Sequence, residues 1–278
     1  MDACDLCGGT EWRVLETTGA VRVVRCRCGL VFVIPQPTRT MLEAAYNAAY
    51  YQPWEAQARL RERIWRERLL RVTRLLSPPG RLLDVGCGTG SFLRAAEAHG
   101  WDVTGTEFSR DGARMAESDG YTVFTGDLWE AGFPDEGFDV ITCWHVIEHV
   151  SDPRRLLFEM RRILSPGGLL VLATPNLRDL FFQLGYLLVR FRRSRIYEPD
   201  EREVHLFVYS AETLRRLAGI AGFADIRVGF DRGAAAVWGK RALDAVAYGW
   251  FRVTGLHWGM GLELTGWKGD EKQRRSRA

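Results

Sequence analysis

The stretch Arg81-Leu-Leu-Asp-Val-Gly-Cys-Gly-Thr-Gly-Ser91 decides the fold of this chain. Its residues 82–85 suit a buried strand, glycines then alternate with other residues, and residues 92–99 suit a helix. A strand, a glycine loop and a helix in that order bring backbone N–H groups to a ligand at the helix N-terminus. Glu107 ends the next strand-like run, about 20 residues beyond the first glycine, where a carboxylate meets the ribose of an adenine nucleotide. The stretch therefore predicts an α/β domain with a nucleotide site.

The glycine spacing distinguishes between ligands. The dinucleotide fingerprint is G-x-G-x-x-G, whose helix N-terminus receives a pyrophosphate. This chain has G-x-G-x-G at Gly86, Gly88 and Gly90, with Asp84 at the end of the strand. A carboxylate repels a pyrophosphate and attracts an ammonium or sulfonium group. The spacing favours a cationic ligand, with an NAD-type or unrelated doubly wound domain as the alternative.

The glycine loop and four later segments together resemble the class I S-adenosylmethionine (SAM)-dependent methyltransferases. The loop resembles their motif I. Residues 122–127 resemble their third strand, 137–145 their fourth strand and 164–176 their fifth strand. Residues 146–153 match the E-H-V-x-D-P turn of the branch that includes ubiquinone-biosynthesis O-methyltransferases. The resemblance covers roughly residues 60–268. It implies an α/β fold with a Rossmann-like seven-stranded sheet and helices on both faces.

The resemblance also implies SAM as the methyl donor and assigns residues to it. Asp84 and the Gly86 backbone are expected at its amino-acid end, Glu107 at the ribose hydroxyls and Asp127 at the adenine amino group. The whole predicted cofactor-binding set is Asp84, Gly86, Cys87, Gly88, Gly90, Glu107, Phe108, Asp127, Leu128 and His145.

Three histidines are the candidate acid–base residues: His145, His149 and His205. The first two flank the end of the fourth predicted strand, where an acceptor pocket is expected, and the third precedes an apolar segment. A structural role is the alternative for each, because geometry rather than residue type makes a base.

His145 to His149 also spell H-x-x-E-H, a zinc-peptidase signature that requires a helix. Here the motif straddles a strand end and a turn, which speaks against a peptidase. Ubiquinone-pathway relatives carry E-x-x-E-H at this point, and His145 in place of the first glutamate speaks against a metal site.

Four of the six cysteines lie near the N-terminus as two pairs, Cys4-x-x-Cys7 and Cys26-x-Cys28. Strand-like runs at residues 12–16 and 21–25 lie between the pairs and predict a β-hairpin. Four thiolates match the tetrahedral set that structural zinc prefers, so a zinc-ribbon-like module is predicted with Cys4, Cys7, Cys26 and Cys28 as ligands. A reduced, metal-free cluster is the alternative.

The chain divides into four predicted parts. Residues 1–37 form the cysteine module, 38–79 a helical cap or linker, 80–268 the methyltransferase domain with a lid or insert at 177–205, and 269–278 a charged tail. Further helices are expected at residues 40–51, 54–76, 179–193, 211–222 and 242–258, and the last strands at 224–229 and 262–267. The arginines of 54–76 are expected to form a solvated face.

Composition limits the function classes. A chain of 278 residues with 46% apolar residues reads as globular. A net charge of +3 is too small to imply nucleic acid as a partner. Polar residues where a signal peptide would be apolar predict a cytoplasmic protein.

The segment 179–193 is predicted as an acceptor lid, a membrane-surface or lipid contact, or a packed core helix.

The resulting hypothesis is methyl transfer from SAM to a small molecule, at a hydroxyl oxygen of a quinone-, sugar- or lipid-linked acceptor. Two alternatives stay open. One is C-methylation of a sugar or polyketide-type substrate. The other is a non-catalytic SAM-binding protein that recruits a partner through its zinc module.

Overall fold

The structure is a computed structural model that describes residues 3–190, 195–197, 204–231 and 238–269. The charged loop 198–203 and the tail residues 270–278 lie outside the described residues. The described chain forms two sheets, one of four strands near the N-terminus and one of seven strands.

The strands of the two sheets, in chain order, are β1 (Trp12–Thr18), β2 (Val21–Cys26), β3 (Val31–Ile34), β4 (Arg81–Val85), β5 (Asp102–Glu107), β6 (Val123–Thr125), β7 (Phe138–Trp144), β8 (Leu164–Pro175), β9 (Phe207–Val208), β10 (Ala224–Phe230) and β11 (Gly261–Trp267). The helices are α1 (Arg39–Ala45), α2 (Ala48–Ala56), α3 (Ala58–Leu75), α4 (Ser91–Glu97), α5 (Arg110–Ser118), α6 (Pro153–Ile163), α7 (Leu180–Arg190), α8 (Ala211–Ile220) and α9 (Trp238–Thr254).

The seven-stranded sheet has the order β10-β11-β8-β7-β4-β5-β6. The strands from β8 to β6 in that order are parallel, and β11 runs antiparallel to both of its neighbours. The parallel strands are buried on both faces, which explains their nearly continuous apolar runs. The chain order reverses between β4 and β7, so a crevice opens at the carboxyl ends of these strands. The predicted α/β sheet is confirmed, and its switch point lies where the glycine loop begins.

The N-terminal sheet is larger than the predicted hairpin. Its order is β1-β2-β3-β9, all antiparallel. The apolar run Val31–Ile34 adds a third strand, and the two-residue β9, which comes much later in the chain, adds a fourth. A two-residue strand carries no periodicity, so only its partner reveals it. Val24 and Phe32 of this sheet, together with Leu6 before it, share one core with Leu83 and Ile141 of the large sheet.

The cap region contains three helices where the sequence predicted two. Residues 40–51 form α1 and the start of α2 rather than one helix. Asn47 lies at the break, where its side-chain amide donates to Ala44 O at 2.9 Å and its carbonyl oxygen accepts from Ala49 N at 2.9 Å. Local side-chain hydrogen bonds of this kind compete with a continuous helix.

The expected solvated arginine face of residues 54–76 is wrong at one position. Arg68 is only 2% exposed. It follows Ile64 by four residues and Trp65 by three, so it lies on the side of α3 that faces the domain. Its guanidinium lies over the Trp144 ring at 4.5 Å, and an ion pair compensates its burial.

The C-terminal helices agree with the predicted segments within a few residues. Ser210 caps α8 as expected, since its side chain accepts from Thr213 N. Within the described part of the chain, every helix is too short or too polar to cross a bilayer. Helices α7 and α9 contact each other, and both expose large apolar side chains, among them Leu188 at 68% and Val253 at 86%.

Candidate cofactor and acceptor site

The loop between β4 and α4 requires glycine for two separate reasons. Gly86 and Gly90 have φ values of 70° and 77°, which L side chains rarely adopt. A Cβ at Gly86 would lie 2.3 Å from a methyl of Val146, and one at Gly90 would lie 3.1 Å from the Ala116 Cβ. The loop can therefore bring its backbone close to a ligand, as the motif predicts.

Glu107 ends β5 with its carboxylate turned back to the glycine loop, and it is 8% exposed. It accepts hydrogen bonds from Gly88 N at 2.8 Å, Ser109 N at 2.9 Å and the Tyr51 hydroxyl at 3.2 Å. Burial raises the pKa of Glu107, although the two backbone N–H groups work against that change. These bonds fix the carboxylate at the wall of the crevice.

Asp84 lies at the end of β4 and is 2% exposed. The Thr142 hydroxyl donates a hydrogen bond to its carboxylate at 2.7 Å. Burial raises the pKa of Asp84 to about 7, because this hydrogen bond and the charge of Arg68 compensate only part of the desolvation. A cation beside Asp84 would therefore stabilise its ionised form.

Asp127 and Leu128 follow β6 at the other end of the crevice. Asp127 caps the short 3-10 turn Leu128–Glu130, and Leu128 is buried. Arg39 of α1 donates to Asp127 at 2.9 Å and lies over the Phe108 ring at 5.3 Å. These two contacts of Arg39 join α1 of the cap to the end of the crevice.

These groups face one cavity of about 680 Å³ at the carboxyl ends of β4, β5, β6 and β7. The predicted site residues that line it are Asp84, Gly86, Cys87, Gly88, Glu107, Phe108, Asp127, Leu128, His145 and His149. Gly90 and His205 are not among its described lining residues. The cap helices contribute a second wall that includes Tyr46, Tyr50, Tyr51, Arg61 and Trp65.

His145 lies in a buried ion cluster rather than alone in the cavity wall. Its Nε2 is 3.0 Å from Asp231 Oδ2, and its Nδ1 is 3.5 Å from Glu148 Oε1. Arg68 Nη2 donates to the same Asp231 oxygen at 2.5 Å. Asp231 is fully buried and Glu148 is 1% exposed.

The carboxylates of the cluster favour the protonated form of His145, and Arg68, whose Nη2 lies 3.1 Å from His145 Nε2, opposes it. Burial lowers the pKa of His145, but its contacts with Asp231 and Glu148 outweigh this and raise the pKa to about 9. Burial raises the pKa of Glu148, and the histidines around it reverse the change and lower it to about 2. Arg71 Nη2 also lies 3.9 Å from Asp231 Oδ1 and 2.6 Å from Glu263, so the cluster combines His145, Arg68 and Arg71 with three carboxylates.

His149 has a defined tautomer. Its Nδ1 lies 2.9 Å from the carbonyl oxygen of Val204, and the Tyr46 hydroxyl lies 3.0 Å from the same nitrogen. Because a carbonyl only accepts, the Val204 contact favours the proton on Nδ1, with the Tyr46 hydroxyl as a second acceptor of that N–H group. A neutral ring then has its lone pair on Nε2.

His205 lies beside His149 but is not among the described lining residues of the cavity. The two ring centroids are 4.9 Å apart. Burial lowers the pKa of His205, although the charge of Glu148 works against that change. Glu148, His149 and His205 each offer one ligand atom within 4.8 Å of the others. The H-x-x-E-H motif lies on a bend and a turn after β7, so the helix that a zinc peptidase requires is absent at these described residues.

The four N-terminal cysteines converge as predicted. Their sulfur atoms all lie within 4.8 Å of one another, with Cys4–Cys28 at 3.6 Å and Cys7–Cys26 at 3.5 Å. Zinc–sulfur bonds of about 2.3 Å in a tetrahedron place sulfur atoms about 3.8 Å apart. Gly9 N also donates to the Cys7 sulfur at 3.4 Å. The donor set and its spacing fit a zinc ion.

Sequence reasoning missed three residues that complete the site: Tyr51, Arg68 and Asp231. Asp231 directly follows the carboxyl end of β10. An acidic residue at a strand end was therefore the available signal. Arg68 interrupts the apolar face of α3, which was a second signal. Tyr51 had no local signal.

Comparison with known proteins gives one family match. Residues 57–228 match a family described as a methyltransferase domain. A ubiquinone biosynthesis O-methyltransferase of Thiobacillus denitrificans is 33% identical over 104 residues, which cover 34% of this chain and 44% of that enzyme. A demethylmenaquinone methyltransferase of Staphylococcus aureus is 29% identical over 196 residues, which cover 63% of this chain and 80% of that enzyme.

Solved structures share the fold. A SAM-dependent methyltransferase from Thermotoga maritima aligns with a TM-score of 0.55 at 22% identity, over 79% of this chain and 97% of that one. Another from Archaeoglobus fulgidus aligns with a TM-score of 0.52 at 19% identity, over 77% of this chain and 99% of that one.

Proposed function

The chain belongs to the class I SAM-dependent methyltransferases, and we propose that it methylates a hydroxyl oxygen of a small quinone-, sugar- or lipid-linked acceptor. One observation carries the proposal: a single cavity joins Asp84, Glu107 and Asp127 on one wall to His149 on another. The first three are the carboxylates at the ends of β4, β5 and β6, and the last is a histidine with a defined tautomer.

The carboxylate wall supports a binding mode for SAM. Asp84 and the Gly86 backbone bind its amino-acid end, where the cationic ammonium favours the ionised carboxylate. Glu107 binds the ribose hydroxyls. Asp127 accepts from the adenine amino group, with Leu128 and Phe108 beside the ring. Gly88 and Gly90 allow the loop backbone to approach the ligand.

The sulfonium of SAM supplies an already activated methyl group, so the protein has to position the acceptor and exclude water. When bound, SAM would transfer its methyl carbon to an acceptor oxygen, and the electron pair of the broken carbon–sulfur bond would stay on sulfur. The oxygen must lose its proton. We assign that proton to His149 Nε2, since Nδ1 already donates to Val204 O.

The other two candidate bases fit this role less well. His145 is held protonated by Asp231 and Glu148, so it has no lone pair to offer near neutral pH. His205 is not among the described residues lining the cavity. In this proposal His145 contributes a fixed positive charge to the cavity wall, which favours an acceptor oxygen that gains negative charge.

The acceptor class rests on two observations. The two relatives compared above are named for ubiquinone and menaquinone pathways. Tyr46, Tyr50 and Trp65 give the cap wall of the cavity an aromatic surface that suits a planar ring. The insert with α7 serves as a lid in this proposal, and the exposed leucines of α7 suit a lipid-linked acceptor or a membrane surface.

The cysteine module binds structural zinc in this proposal. Four thiolates leave no open coordination position, so the ion stabilises the module and does not activate a substrate. The support is the convergence of the four sulfur atoms at tetrahedral spacing.

A calorimetric titration with SAM, followed by turnover with hydroxylated quinols and sugars, tests the function. Binding with an approximately stoichiometric site and a product that gains one methyl group on oxygen supports the proposal. Absence of SAM binding contradicts it. Transfer to carbon supports the C-methyltransferase alternative, and binding without turnover on any acceptor supports the non-catalytic alternative.

A further inference from the structure

The segment Val204–Tyr209 lies between the cysteine module and the turn that carries His149. It includes His205 and the two residues of β9, Phe207 and Val208. Leu206, Phe207 and Tyr209 are fully buried. The segment therefore contacts both parts of the protein, and each side holds it through its backbone.

On the module side, β9 extends the N-terminal sheet. Val208 pairs with Val31 and Phe207 with Phe32, and Val33 N donates to Leu206 O at 3.0 Å. The Phe32 and Phe207 rings have centroids 6.3 Å apart. Phe32 is itself fully buried. The module thus fixes the segment by both hydrogen bonds and packing.

On the other side, the same residues bond the turn after β7. The Glu148 carbonyl accepts from Leu206 N at 2.7 Å and from Phe207 N at 3.1 Å. The Val204 carbonyl accepts the Nδ1 proton of His149 at 2.9 Å. One short segment therefore determines where the turn lies and which nitrogen of His149 carries the proton.

The segment cannot hold this shape by its own local structure. A strand of two residues is too short to be stable without a sheet beside it. Phe207 and Val208 pair with β3 of the module, and at the other end of the segment Tyr209 forms one parallel bridge with Asn176 after β8. β3 in turn pairs with β2, which ends at Cys26 in the thiol cluster. Backbone hydrogen bonds therefore lead from β2, which ends at Cys26, through β3 to Leu206, two residues from Val204.

We infer that the cysteine module is a positioning element of the acceptor site: through Phe32 and β9 it places the Val204 carbonyl and so fixes the Nδ1-protonated tautomer of His149. The inference rests on the proposed function for its catalytic meaning, because there His149 Nε2 is the base. Its structural content, the tautomer of His149, is measurable without any turnover.

The test compares two matched substitutions, Phe32→Leu in the module and Phe138→Leu in the large sheet. Phe138 is also buried and lies edge-on to Phe133 at 5.1 Å, away from the module. Long-range ¹⁵N–¹H NMR spectra report the tautomer of each ring, and the chain has only five histidines to assign. A His149→Gln spectrum identifies the His149 signals.

We expect the wild type and Phe138→Leu to show His149 protonated at Nδ1. We expect Phe32→Leu to show a mixture of tautomers with an Nε2-protonated fraction above one fifth, while SAM affinity stays within about threefold of wild type. A pure Nδ1 tautomer in folded Phe32→Leu would overturn the inference, as would an equal mixture in Phe138→Leu.

A second measurement covers the case in which Phe32→Leu fails to fold. The same spectra are recorded for Cys26→Ser, which removes one thiol of the module and leaves Cys87 of the cavity wall unchanged. Loss of the Nδ1 tautomer while SAM still binds supports the inference, and retention of it contradicts the inference. A His149→Gln variant that keeps full methyl transfer would contradict the proposed base and leave the positioning result intact.

Discussion

The Tyr51 hydroxyl donates a hydrogen bond to the Glu107 carboxylate at 3.2 Å, and the tyrosine is 5% exposed. Tyr51 comes from α2 of the cap, and Glu107 ends β5 of the sheet. The same carboxylate oxygen also accepts from Ser109 N. A carboxylate oxygen has two lone pairs, and Ser109 N and the Tyr51 hydroxyl use both of them on this oxygen. Tyr51 therefore occupies a position that a ribose hydroxyl would take on Glu107.

Tyr51→Phe should strengthen SAM binding, because removing the hydroxyl leaves an acceptor on Glu107 for the ribose. One hydrogen bond to a charged group contributes about 1.5 kcal/mol, so we expect an increase in affinity of roughly tenfold. Calorimetric titration measures it. Tyr50→Phe is the control, since Tyr50 lines the same cavity. Weaker binding by Tyr51→Phe would mean that the hydroxyl supports the ligand instead.

Glu107→Ala should weaken SAM binding at least tenfold, about 1.4 kcal/mol, because the ribose hydroxyls lose their acceptor. The loop also loses the carboxylate that accepts from Gly88 N. Glu97→Ala is the control, as Glu97 is an exposed acid on α4. Equal affinities for Glu107→Ala and wild type would remove Glu107 from the assigned site.

SAM binding should weaken as pH falls below 7. The pKa of Asp84 is raised to about 7 by burial, and the cationic end of SAM requires the ionised form. The dissociation constant should therefore rise by up to about tenfold per pH unit between pH 7 and 5.5. Calorimetric titrations in buffers of different ionisation enthalpy measure the number of protons that the protein releases when SAM binds. Asp84→Asn should bind weakly with a flatter pH dependence; an unchanged slope would assign the proton to another group, such as Glu107.

The His145 cluster should stabilise the fold below pH 6.5 and lose that contribution as pH rises. The pKa of His145 is about 9 in the folded protein and 6.5 ordinarily, so its stabilising contribution is complete below 6.5 and disappears through pH 9. We expect the difference in free energy of unfolding between wild type and His145→Gln to fall by roughly 3 kcal/mol between pH 6.5 and 9.5. Urea denaturation at both pH values measures it. A constant difference would show that the imidazole titrates near its ordinary pKa.

Removing one cysteine of the module should lower thermal stability and metal content together. Cys26→Ser takes away one of the four sulfur ligands that lie within 4.8 Å of one another. We expect wild-type protein to contain about one zinc per chain, and Cys26→Ser to lose most of it with a lower Tm. Elemental analysis and calorimetry measure both. Cys143→Ala, a buried cysteine outside the cluster, is the control and should keep its zinc. A Cys26→Ser protein that is equally stable but inactive would contradict a structural role.

Much of the large sheet could be predicted from the sequence because its signals are local. Buried parallel strands require continuous apolar runs, and the turn after β4 requires glycine at Gly86 and Gly90, where φ is positive. Cysteine pairs flanking two strand-like runs similarly indicated where four sulfur atoms meet. The cap was harder to predict, since the break at Asn47 depends on hydrogen bonds of one side chain.

The residues that complete the site come from distant parts of the chain. Arg68, His145 and Asp231 meet only after α3 packs across the ends of β7 and β10. A burial pattern cannot reveal such a cluster, because polar side chains become buried only where an opposite charge from another element compensates them. The role of Arg68 was wrongly predicted for this reason.

Local residue preferences were sufficient to predict the glycine loop, the strand cores and the cysteine pairs, since each depends on the conformational limits and apolarity of neighbouring residues. The folded structure was needed to show that Tyr51 reaches Glu107, that β9 joins the cysteine module, and that the Val204 carbonyl contacts His149. These contacts join residues from about 55 to 175 positions apart, and packing between whole elements rather than local preference brings them together.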